Sequence, residues 1–266
     1  MIELKYKNWK DITINVYQKL QNLNLNRSSD IIDEIDDNVK ILSILCDVDE
    51  DTIADLEISD YKRLVNQCAF LNEMPKVKIN DEYWINDKLY QVQYNVQDMT
   101  MAQYLDYQTY LKDSSKYTKE IVGCFLIPKG KKYGEDYNIS EVVEDIGNYF
   151  SIVDALSVCF FFYDVISEFN NGYTGLFGEK DEEGEEEDEQ GTTSASTTSN
   201  RRIEQGYSFG QKWGWVYWVD RVSETVRDSW EKVYKMNPYE FFNILCYRKD
   251  KDEEEKRQMD EWKRTH

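Results

Sequence analysis

Between Gly178 and Asn200 the chain reads GEKDEEGEEEDEQGTTSASTTSN: nine acids and one lysine, then threonine and serine, with a single alanine as the only apolar side chain. Such a stretch cannot bury enough surface to offset the entropy of ordering it. Its like charges also repel one another and extend it. The chain is therefore expected to fold in two pieces, 1–177 and 206–266, with 178–205 as a disordered acidic and Thr/Ser linker. Charge divides the same way. Residues 1–177 carry 17 basic and 30 acidic side chains, 178–200 carry one against nine, and 201–266 carry 14 against 13. With 41% hydrophobic and 14% aromatic residues overall, the flanking pieces have the apolar content for cores.

Several function classes are excluded by composition. A net charge of −20 opposes the counterion exchange on which phosphate-backbone binding depends, so no nucleic-acid partner is expected. The only histidine is the last residue, His266, which removes Ser-His-Asp, Cys-His and His-metal designs. Five cysteines (Cys46, Cys68, Cys124, Cys159 and Cys246) lie at least 22 residues apart in apolar runs and read as buried free thiols of a reducing compartment. The opening MIELKYKNWK has no signal-peptide apolar region. The most apolar stretch, Ile152–Ile166, is interrupted by Asp154 and Asp164, too closely spaced for a bilayer span of ~20 residues. No membrane partner is expected.

The periodicity predicts a mainly α fold (α+β). Asp11 is a candidate cap for a helix to about Leu23. Asp30 precedes a stripe of Ile31, Ile35, Val39, Leu42 and Cys46 at helical spacing. Asp49–Glu57 reads as a short acidic helix, and Ser59 as the cap of the next. After Pro75 the period becomes two: KVKI, EYWI and KLYQV, separated by Asn80-Asp81 and Asn86-Asp87, predict a β-hairpin or three-stranded meander near 76–92. Thr100 caps MAQYLDYQTYLK, and EIVGCFLI is a short apolar segment ending at Pro128. A pair of helices then runs from about Ser140 to Asn171. In the second of them Asp154, Ser157, Asp164 and Glu168 form one narrow polar stripe and every other face is apolar, which places it at the centre of the domain. In the tail, Trp215, Val219, Val222, Val226, Trp230 and Val233 form an apolar helical seam. Asn237-Pro238-Tyr239-Glu240 then starts a last helix, with Asp252–Lys256, Glu253–Arg257 and Lys256–Asp260 as supporting pairs.

Catalytic motifs are missing. Asp47-x-Asp49-x-Asp51 begins like a calcium loop but has Thr52 where glycine is needed and Ile58 where a bidentate glutamate is needed. Gly130-Lys131-Lys132 lacks the remainder of a phosphate loop. No enzyme activity, cofactor or metal is expected. The feature that stands out is aromatic: Trp213, Trp215, Trp218 and Trp230 crowd a tail piece too small to bury them all, and are candidate partner-binding residues.

The run WKDITINVYQKL, the segment from DNVKILSILCDVDEDTIADLEISDYKRLVNQCAF through EYWINDKLYQV, and MTMAQYLDYQTYL resemble the tail assembly chaperones of long-tailed bacteriophages. The C-terminal WEKVYKMNPYEFFNILCYRKDKDEEEKRQ resembles the smaller helical extension of the two-domain form. The resemblance implies a non-catalytic protein of the host cytoplasm that binds and solubilises the tape-measure protein and recruits tail-tube subunits; a homo-oligomer is compatible with it. Two other classes stay open: a structural virion or tail-completion component, and an acidic inhibitor that mimics nucleic acid. The densest acids lie in the expected linker rather than on a rigid surface, which argues against the mimic.

Overall fold

The computed structural model describes residues 2–23, 31–177 and 213–266. The expected linker and the Asp30 cap lie outside the described residues. Among the described residues the chain is mainly helical with one small antiparallel sheet, and it divides into two compact units, Met1–Ile166 and Ser167–His266.

In the first unit, α1 (Ile14–Gln21) is capped by Thr13, whose hydroxyl accepts from the Val16 amide, and not by Asp11. Asp11 instead closes the preceding turn, accepting from the Lys7 amide and from Asn8 Nδ2. Helix α2 (Ile31–Cys46) buries Leu42, Leu45 and Cys46 but leaves Ile32 and Ile35 exposed, so only its C-terminal half reaches the core. The N-terminal arm locks onto that end: the Lys5 and Tyr6 amides both donate to the Leu45 carbonyl. Helices α3 (Glu50–Ala54) and α4 (Ile58–Gln67) follow, the latter starting one residue before the expected Ser59 cap. A 3-10 turn over Cys68–Asn72 closes the layer; there Trp9 Nε1 donates to the Phe70 and Glu73 carbonyls, both at 2.8 Å.

The hairpin forms where Asn86-Asp87 predicts it. Strands β1 (Glu82–Ile85) and β2 (Lys88–Val92) pair with Ile85 opposite Lys88, and both turn residues have positive φ, 46° and 59°. Asparagine and aspartate tolerate that region better than other non-glycine residues. KVKI does not pair. The third strand, β3 (Leu126–Pro128), comes from the far end of EIVGCFLI and pairs antiparallel with β2, Val92 facing Leu126. The physical reason is burial: Leu126 and Ile127 are buried, whereas Val77 is exposed.

Helix α5 (Met101–Leu111) opens on a full capping box between Thr100 and Gln103. Helix α6 (Thr118–Phe125) runs directly into β3, so its C-terminus is buried with Val122, Gly123, Cys124 and Phe125 all inside. The four final carbonyls of such a helix end need partners. Each has one: Val122 from the Leu126 amide, Gly123 from the Tyr137 hydroxyl, Cys124 from Gln103 Nε2, and Phe125 from the Gln93 amide at 3.0 Å. Gln103 is itself wholly buried and also donates to Gln93 Oε1 at 2.7 Å. Helices α7 (Val143–Tyr149) and α8 (Ile152–Asn171) complete the unit, with α8 belonging to it through Ile166. Phe162 of α8 stacks on Phe125 with centroids 3.7 Å apart, and Tyr107 meets Phe125 edge-on.

In the second unit, α8 ends with Phe169 packed against Tyr239 and Phe242, so the first boundary falls at Ile166 rather than 177. A short α9 (Thr174–Phe177) precedes α10 (Trp215–Val226), α11 (Trp230–Lys235) and α12 (Pro238–Thr265). The predicted apolar seam is cut in two, since Arg227 takes the left-handed conformation and ends α10. Val219, Val222 and Val233 are still buried. Asn237 caps α12 through its side chain, with Pro238 at the first position. The ion pairs on α12 are Arg248–Asp252, Lys249–Glu253, Lys251–Glu255 and Glu254–Arg257, in place of the three expected.

Replacing Gln103 by leucine keeps the volume and removes the donor, stranding the Cys124 carbonyl. An unsatisfied buried acceptor costs about 1–3 kcal/mol. Urea unfolding of Gln103→Leu should show a lowered midpoint with native far-UV dichroism before the transition; an unchanged midpoint would mean the carbonyl finds another donor.

Candidate functional site

Helix α8 carries Phe160, Phe161, Phe162 and Tyr163 in succession. Four neighbours on a helix spread over about 300°, so they cannot all face one core. Phe162 is buried; Phe161 lies edge-on to Tyr94 with centroids at 5.2 Å; Phe160 and Tyr163 are each 54% exposed. The expectation that the non-polar faces of α8 are all internal is thus corrected. Ser157, placed in the polar stripe, is buried, and its hydroxyl donates to the Asp154 carbonyl.

The exposed side of α8 forms one wall of an apolar groove of about 430 Å³, within the ~300–1,000 Å³ range of ligand-accepting clefts. Leu156, Cys159, Phe160 and Tyr163 face Tyr17 of α1 and Leu111 of α5 across it. The end of the groove is pinned by Gln18, whose amide donates to the Ser115 and Lys116 carbonyls at 3.1 and 3.0 Å. Burial pushes the Cys159 thiol up to about 12. At neutral pH it is an uncharged, weakly polar lining group and not a nucleophile. The groove can take apolar side chains and offers no acid-base pair.

The second unit holds the four predicted tryptophans, and it separates them by environment. Trp215 is half-buried, with its ring edge-on to Phe242 at 6.2 Å. Trp218 packs beside Tyr217 at 5.1 Å and lines a groove between α10 and α12. Trp213 is 48% exposed just before the Gly214 cap of α10, and Trp230 is 42% exposed while donating from Nε1 to Asp220 at 3.1 Å. Trp215 is therefore partly a core residue, whereas Trp213 and Trp230 present ring surface to solvent.

The groove of the first unit is not evident from the sequence, because the apolar faces of α8 read as internal. The run FFFY held the signal. Among the described residues there is no group of three or more side chains placed to hold a metal ion, and no helix long and apolar enough to cross a membrane. Asp47 of the calcium-like run pairs with Lys5 at 2.6 Å, and Asp49 precedes α3 as its cap residue. Scans against protein-family models, curated proteins and solved structures each return no match.

Exposed groove residues should be expendable for folding. Phe160→Ser and Tyr163→Ser are expected to stay within about 0.5 kcal/mol of the parent, the usual range for surface substitutions. Phe162→Ala should cost about 3–5 kcal/mol through loss of its stacked position. Comparing their urea midpoints decides whether the groove is surface or core.

Proposed function

We propose that this chain is a non-catalytic assembly chaperone of the kind found in long-tailed bacteriophages. Its first unit holds an apolar helical segment of a tape-measure protein in the groove of α1, α5 and α8. Its second unit recruits a tail-tube subunit through Trp213 and Trp230. The observation that carries this reading is the groove itself: exposed Phe160 and Tyr163 beside Leu156 and Leu111, on a unit whose sequence is strongly acidic. Contiguous exposed apolar surface marks an interaction site, and surrounding negative charge keeps a complex with an apolar client in solution. The sequence resemblance supplies the class of client. An amphipathic helix in a groove presents its side chains at i, i+3, i+4 and i+7, which suits a lining contributed by several helices.

Co-expression with a tape-measure protein tests the proposal. With the parent chain the client should stay in the supernatant. With Phe160→Glu/Tyr163→Glu, which places two charges on the groove wall, the client should sediment while the variant itself remains soluble and folded. A client kept equally soluble by the double variant would refute the groove as its site.

A further inference from the structure

The groove between α10 and α12 has a charge opposite to that of the chain. On α10, Tyr217, Trp218 and Arg221 face it; on α12, Leu245, Arg248 and Lys256 do, one face of a helix over about 17 Å. Lys249 adds a fourth basic side chain to the lining, against Asp252 and Glu253. Asp252 is shared between the Arg221 and Arg248 guanidinium groups, and Lys249 stands 3.9 Å from Glu253. The lining is thus net +2 in a chain of −20. Arg221 also lies over the Tyr217 ring at 5.9 Å from its centroid, which keeps the guanidinium on the aromatic wall. A concave surface of about 240 Å³ with a tyrosine, a tryptophan and a cationic rim suits carboxylates.

We infer that this groove binds an acidic peptide, and that its occupant is the chain's own run Glu179–Glu189. The run lies outside the described residues. It has nine acids, and it is tied to α10 by the 23 residues from Gln190 to Lys212. Even fully extended, a tether of that length spans no more than about 75–85 Å, and on its other side the run follows the end of α9 at Phe177 after one residue. Both attachments belong to the second unit, so binding of the run is intramolecular and is favoured by effective concentration over a free peptide. An acidic segment of another protein would approach against the net charge of the whole chain and compete with a tethered ligand of the same chemistry. The inference is independent of the proposed chaperone role.

The test uses the full chain in two forms, the parent and a variant with the nine acids of 179–189 replaced by their amides. The probe is a fluorescein-labelled peptide of sequence EKDEEGEEEDE, followed by anisotropy at low and at physiological salt. The amide variant should bind the probe at least tenfold more tightly than the parent, with affinity falling as salt is raised. Lys249→Gln/Lys256→Gln in the amide variant, both on the exposed side of α12, should lose the probe without loss of helicity. Equal binding by parent and amide variant would overturn the inference, as would no binding by either, or a probe held unchanged after the two lysines are neutralised.

Discussion

The first unit depends on a helix that ends inside the protein. Helix α6 passes into β3 with no loop between them, so four carbonyls that most helices show to water are enclosed. Left unpaired, each would cost about 1–3 kcal/mol, a large share of the stability of an ordinary domain. Their donors come from four different places: the strand that follows, the segment after β2, the first turn of α5, and the loop that carries Tyr137. The same bonds that solve the problem of the helix end therefore fix the sheet, α5 and that loop against one another. Gln103 does the most, since a single amide joins the cap of α5, Gln93 and the Cys124 carbonyl.

On that frame α8 is held by the stack of Phe162 on Phe125, and its rotation is set. Once Phe162 faces inward, Phe160 and Tyr163 must lie on the outer side. The apolar groove is a geometric consequence of the buried stack and of four aromatic residues in succession. Its wall on α1 is set by a separate tie, in which the backbones of Ile12 and Ile14 bond to Ile152 and Phe150 on either side of the Thr13–Ser151 bridge. The groove thus rests on helices tied to one another, an arrangement that would lower the ordering cost of holding a ligand.

Local chemistry was readable in part. The Thr100 cap, the Asn237-Pro238 start and the Asn86-Asp87 turn occur where their residues indicate, because each is decided within four residues of chain, whereas Thr13 and Glu57 hold the cap positions expected of Asp11 and Ser59. Non-local decisions were not readable. KVKI and the end of EIVGCFLI are both plausible strands, and the choice between them depends on which can bury its side chains beside β2. The Arg227 break in the tail seam is hidden in the same way, because steps of three and four continue across it. The tryptophans of the second unit are not all enclosed, and Trp213 and Trp230 are 48% and 42% exposed. Their division into a half-buried Trp215 and the more exposed Trp213 and Trp230 follows from where Phe242 and Asp220 lie on the folded chain.

On the proposal above, an apolar client seats on the α8 face of the first unit and not on exposed aromatic surface in general. Trp84 supplies the control, since it is 73% exposed on β1 and lines no part of the groove. A photo-crosslinking residue placed at position 160 or at position 84, with irradiation in the presence of a tape-measure protein, measures this directly. Client adducts are expected from position 160 and none from position 84. Adducts from position 84 alone, or equal yields from both, would refute a seat on α8.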